Sequence, residues 1–166
     1  MPPRTARPLA TFAALLVALL PAGCGFHLQR PAALPAALQS LRIEAEDPQS
    51  EFYRALRRQL QDAGADADAA TGDTARVRIL HDATSERVLS VSARNVPTEY
   101  ELGYSVRLSV VAGDRELLPA EEFTLTRDYS FDETALLAKQ HERDMLSVAL
   151  ARDLASVVMR RLASLQ

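Results

Sequence analysis

The chain has 166 residues, a formal charge of −3 and a single cysteine. That size suits one core burying about two-thirds of its unfolded surface. The acidic balance offers no general attraction for nucleic acid or anionic lipid, so any anionic ligand is held locally. One cysteine excludes an internal disulfide.

Arg4 and Arg7 precede an uncharged run from Leu9 to Leu20, and Ala22 and Gly23 lead into Cys24. This is the layout of a secretory signal over residues 1–23. As a helix the run spans about 18 Å, short of the roughly 30 Å hydrocarbon core, so a permanent membrane-spanning helix is not expected. Small residues before the only cysteine form a lipobox, which makes Cys24 the expected lipidation site. Pro21 stands where a lipobox usually carries leucine, which predicts less efficient processing. The competing reading is an ordinary thiol in a signal cut elsewhere. Cleavage before Cys24 leaves 143 of the 166 residues, and losing Arg4 and Arg7 takes the charge from −3 to −5. Several acyl chains, at about 0.8 kcal/mol per buried methylene, hold such a protein at its membrane. Gly25 in place of aspartate after the cysteine, as in enterobacterial lipoproteins, implies the periplasmic side of the outer membrane.

Residues 24–38 follow as a lipidated N-terminus and a Pro/Ala-rich tether containing Pro31 and Pro35, where no core is expected. The domain is read as residues 39–166. Leu41, Ile43 and Ala45 alternate with Arg42 and Glu44 as a short strand. Ser50 caps a helix whose Phe52, Leu56, Leu60 and Ala63 share one face, and Gly64 stops it. Residues 65–72 read as an acidic, small and mobile link. Val77 and Ile79 begin a second strand that continues or resumes at Val88, Leu89 and Val91 after a polar stretch. The third is the clearest: Tyr100, Leu102, Tyr104, Val106, Leu108 and Val110 oppose Glu101, Gly103, Ser105, Arg107 and Ser109. Phe123, Leu125, Tyr129 and Phe131 mark a fourth. Leu146, Leu150, Leu154, Val157, Val158, Leu162 and Leu165 then form an amphipathic helix starting near Thr134. The fold class is α+β: a two-layer sandwich with two helices on one face of a four-stranded mixed sheet. The other face is polar and need not be covered by an apolar layer.

No catalytic or metal chemistry is expected. His27, His81 and His141 are scattered, and His141-Glu142 lacks the second histidine of a zincin helix. His81, Asp82 and Ser85 are triad residue types without a nucleophile elbow. No cofactor and no enzyme are predicted; a periplasmic hydrolase finds no named residue.

The run Cys24-Gly25-Phe26-His27-Leu28 resembles the start of the LPS-assembly lipoprotein family, LptE. The stretch Arg94 to Leu102 resembles that family's loop and central strand, and Tyr129 to Asp132 with Ala138-Lys139-Gln140 through Met145 resembles its approach to the last helix. The resemblance implies a plug inside the LptD β-barrel that helps assemble the barrel and insert lipopolysaccharide into the outer leaflet. It implies lipopolysaccharide as ligand, with Arg94 and Lys139 as its contacts; the plain alternative is two solvated cations at element ends. Arg87 is a weaker candidate. A different class of function is a transport-auxiliary or lipid-binding lipoprotein acting without a barrel partner.

Overall fold

A computed structural model of the chain describes residues 33–69, 74–130 and 136–165. Cys24, Phe131 and Thr134 lie outside these residues, as do the signal and most of the tether.

Strand β1 (Leu41–Glu44) is followed by helix α1 (Glu51–Asp62), then by three long strands, β2 (Ala75–Val91), β3 (Pro97–Ala112) and β4 (Arg115–Ser130), and by helix α2 (Leu136–Ala163). The sheet order is β1-β2-β3-β4. β1 runs parallel to β2, because α1 carries the chain back across the sheet, and the tightly connected later pairs are antiparallel. The expected α+β sandwich with two helices on one face is the fold observed.

Ser50 starts α1 by accepting a hydrogen bond from the Tyr53 amide at 3.0 Å. Gly64, at φ 84°, ends it, with the Ala65 amide returning to the Leu60 carbonyl and the Gly64 amide to Gln61. This closure needs a left-handed residue, which glycine supplies without a Cβ clash. Phe52, Leu56 and Leu60 are fully buried against Val77, Leu108 and Val110 of the sheet and Leu154, Val158 and Leu162 of α2. Across the helix pair, the Gln59 amide donates to the Arg152 carbonyl at 3.1 Å and the Ser156 hydroxyl to Gln59 Oε1 at 3.2 Å.

Two sequence expectations give way. Residues 65–69 are paired, not mobile: the Leu41 amide donates to the Asp66 carbonyl, and the Asp66 and Ala69 amides donate to Gln39 and Leu41. Ala65, Ala67 and Ala69 point inward while Asp66 and Asp68 point out, so β1 is flanked on its outer side. Within the stretch read as a tether, Leu34 and Leu38 are buried in the core around a 3-10 turn at Ala36–Leu38. A leucine in each turn of that segment outweighs its Pro/Ala composition, because burying one contributes about 1.5–3 kcal/mol.

Candidate functional site

β2 is one continuous strand, and its polar middle belongs to it. Ile79 pairs with Leu108 and His81 with Arg107, which leaves Leu80 as an extra residue, a β-bulge. A one-residue insertion exchanges the two faces of a strand. Before the bulge the odd positions Ala75, Val77 and Ile79 are buried beneath the helices. After it the even positions Asp82, Thr84 and Glu86 sit opposite Val106, Tyr104 and Leu102 and share their inward face. Two carboxylates are thereby turned toward the helical layer, and each finds donors there.

Asp82 accepts from the Ser50 hydroxyl at 2.6 Å and from the Tyr104 hydroxyl at 2.8 Å, while that hydroxyl accepts from the Phe52 amide at 3.3 Å. The first turn of α1 is thus fastened to β2 and β3. Burial, reinforced by the adjacent Asp82 carboxylate, pushes the Tyr104 phenol well above its ordinary value.

Glu86 holds the other end. One of its oxygens accepts from the Tyr129 hydroxyl at 2.9 Å and from Arg143 Nε of α2 at 2.8 Å. Burial and then the Glu86 hydrogen bond raise the Tyr129 phenol to about 12. The Glu86 hydrogen bond keeps the Arg143 guanidinium more firmly protonated than usual. The Tyr129 ring stacks on Tyr100 with centroids 5.6 Å apart. Lys139, one helical turn before Arg143, is paired with Glu142 at 2.6 Å, and its side chain is only 16% exposed.

Arg94 is exposed in the turn joining β2 to β3. Ser92 organises that turn: its amide donates to the Val96 carbonyl, its carbonyl accepts from the Asn95 amide, and its hydroxyl accepts from the Val96 amide. Asn95 takes φ 60°, a left-handed conformation that asparagine tolerates better than most residues. The paired strand runs on from Glu86 to Val91 before the turn, about 16 Å at the usual rise per residue. Arg94 and Lys139 therefore lie toward one end of the sheet, with exposed Val88, Leu89 and Val91 on the strand leading to the turn. Arg87, the weaker candidate, points to the opposite face and grips Glu101 through Nε at 2.6 Å and Nη2 at 3.2 Å.

That opposite face carries Ser85, Arg87, Glu101, Gly103, Ser105, Arg107, Glu122, Thr124, Thr126 and Asp128, as the alternation of β3 and β4 predicts. Its side chains are mostly small or charged. At its centre Gly103 approaches β2 so closely that an added Cβ would stand 2.6 Å from Ser85 Oγ. The Arg87 hydrogen bond holds the Glu101 carboxyl below its ordinary 4.5.

Sequence reasoning missed Asp82, Glu86 and Arg143 as members of these networks. The only available signal was two acids, four residues apart, within a strand.

A family model described as "LptE: Lipopolysaccharide-assembly" matches residues 38–162. The chain is 28% identical over 152 residues to the LPS-assembly lipoprotein LptE of Pectobacterium atrosepticum, covering 90% of this chain and 82% of that protein. It is 25% identical over 148 residues to the protein of the same name from Photorhabdus laumondii, covering 89% of this chain and 81% of the relative. Among solved structures, rare lipoprotein B from Shewanella oneidensis superposes with a TM-score of 0.68 at 26% identity, covering 75% of this chain and 94% of that one. Lipoprotein B from Nitrosomonas europaea gives a TM-score of 0.66 at 25% identity, covering 85% and 92%.

Proposed function

Because the chain belongs to the LptE family of lipopolysaccharide-assembly proteins, we propose that it is an outer-membrane lipoprotein, acylated at Cys24, that seats inside an LptD-type β-barrel and assists insertion of lipopolysaccharide. The observation that carries this reading is the two-sidedness of the sheet. Both helices cover one face, and the other presents small and charged side chains from Ser85 to Asp128 with no apolar layer over it among the described residues. A porin-sized barrel has a polar, hydrated lumen, so a domain lodged there needs such a face where it meets the wall.

Lipopolysaccharide carries phosphates and carboxylates on its inner sugars, which require cations in a chain of negative net charge. Arg94 and Lys139 are the proposed contacts. Their position toward one end of the sheet supports this role, and so does the exposed aliphatic strand segment near Arg94, which suits a ligand with acyl chains. The lipid tether raises the local concentration of the domain at the barrel. The reading is of a binding and assembly factor, not an enzyme.

The test is isolation of the full chain, with its native leader, from detergent-solubilised outer membrane. Co-purification of a large β-barrel, together with a chain mass increased by acyl groups, is the expected result. An unacylated chain that fractionates with periplasmic proteins and brings no barrel overturns the proposal. If the isolated chain retains bound lipid but has no barrel companion, the auxiliary lipid-binding reading replaces it.

A further inference from the structure

The inward stripe of α2 changes character along its length. From Leu150 to Leu162 it is buried and apolar. Two and three turns closer to its start, the same stripe carries Arg143 and Lys139. Residues four apart on a helix stand on one face with Cβ atoms about 6 Å apart, a spacing that one phosphate group bridges. Two cations so placed repel each other. In this chain each is balanced by its own carboxylate, Arg143 by Glu86 at 2.8 Å and Lys139 by Glu142 at 2.6 Å.

The two carboxylates are held very differently. Glu86 belongs to the sheet, and its Oε2 is fixed by the Tyr129 hydroxyl as well as by Arg143. It engages only the Nε edge of the guanidinium. Among the described residues the Nη groups have no carboxylate closer than Asp144, 3.9 Å from Nη1, and the side chain is 45% exposed. Glu142, by contrast, sits on the same helix as Lys139, three residues away, with its side chain 47% exposed. Pairs of that kind contribute little and exchange readily. A phosphate arriving at this helix face meets an oriented guanidinium with its outer donors available, and beside it an ammonium whose partner is easily displaced.

We propose that Arg143 is a second ligand-contacting cation, that it and Lys139 together take one phosphate group, that Glu86 positions Arg143, and that Glu142 occupies Lys139 until the phosphate displaces it. This inference rests on the ligand reading given above for Lys139. It adds a residue to the site and an internal competitor that tunes the affinity.

The roles make opposite predictions for the two acids. Glu142→Gln removes the competitor, so binding of purified lipopolysaccharide to the full chain tightens by about threefold, as expected for a pair whose acid is exposed. Arg143→Gln removes a charge-assisted contact and weakens binding about tenfold. Glu86→Ala releases the guanidinium and weakens binding, whereas Glu86→Gln keeps an oxygen facing Nε and leaves binding at or above the wild-type level. A strut role for Arg143 predicts a lower melting temperature in its variants and no gain from Glu142→Gln. Unchanged affinity in both Arg143→Gln and Glu142→Gln overturns the proposal, whatever happens to stability. A parallel titration with inorganic pyrophosphate, followed by the Arg143 Nε–H resonance, separates this inference from the ligand reading. A shift of that resonance without any lipopolysaccharide binding retains the phosphate site and removes the ligand reading. Lipopolysaccharide binding that is indifferent to Arg143, with no pyrophosphate shift, retains the ligand reading and removes the site.

Discussion

Replacing Asp82 tests whether the bulge at Leu80 is what fastens helix to sheet. Asp82→Ala deletes the acceptor of two hydrogen bonds, from the Ser50 hydroxyl at 2.6 Å and the Tyr104 hydroxyl at 2.8 Å. Each bond to a carboxylate contributes about 1.5 kcal/mol or more, so the loss is about 3 kcal/mol. Tyr104→Phe removes one of these bonds and also the acceptor for the buried Phe52 amide at 3.3 Å. That change costs about 2 kcal/mol, because an unsatisfied buried amide carries its own desolvation penalty. The two changes share the Tyr104–Asp82 bond, so the double variant is expected to lose about 1 kcal/mol less than the sum of the singles. Urea unfolding of the four proteins, followed by far-ultraviolet circular dichroism, measures all three quantities. Additive losses, or an Asp82→Ala midpoint equal to wild type, refute the assignment of Asp82 to this junction.

Thr126→Trp puts a bulky ring on the exposed open face, where it perturbs stability by only about 0.5 kcal/mol; loss of barrel co-purification with an unchanged melting curve is the expected outcome, and retained co-purification means this face does not meet the wall. Arg94→Asp combined with Lys139→Asp is expected to weaken lipopolysaccharide binding while leaving folding within about 1 kcal/mol of wild type; unchanged binding takes both out of the site. On the open face, the Arg87 hydrogen bond depresses the Glu101 carboxyl below 4.5. A depressed carboxyl contributes stability above its unfolded value, and that contribution is lost as pH falls through the folded value. An NMR titration of the Glu101 side chain is expected to show a midpoint below 4.5 that moves upward in Arg87→Gln; no movement dismisses the pair.

β3 was readable because nothing interrupts its alternation over the stretch that packs under the helices: Leu102, Tyr104, Val106 and Leu108 are all buried, and the residues between them face outward. α1 was readable for a related reason, since one cap, one apolar stripe and one glycine are all local signals. β2 resisted because Leu80 changes which parity faces inward, and a period-2 search across the bulge finds neither pattern. Residues 65–69 resisted because alternating Ala and Asp carry little side-chain volume; their order comes from hydrogen bonds to Gln39 and Leu41, which a local pattern does not reveal. Arg94 and Lys139 entered through resemblance to a family. Glu86 and Arg143, 57 positions apart, meet only once the bulge has turned Glu86 inward.

The bulge also divides the inner face of β2 into two kinds of bonding. On one side of it, Ala75, Val77 and Ile79 pack into a continuous apolar core with Leu56, Leu60 and Leu154. On the other, the inward positions are Asp82, Thr84 and Glu86; Asp82 is linked to the cap of α1 by the Ser50 hydrogen bond and Glu86 to α2 by the Arg143 ion pair. Apolar packing is non-directional and strengthens with area, whereas a polar junction depends on geometry and can exchange its partners for water or for a ligand. The first half of α2 is therefore tied to the sheet by the directional Glu86–Arg143 pair, while its second half is locked by burial. In the proposed site, a phosphate that displaces Glu142 from Lys139 disturbs neither the core nor the Glu86–Arg143 pair, because the contact it replaces lies within α2 itself.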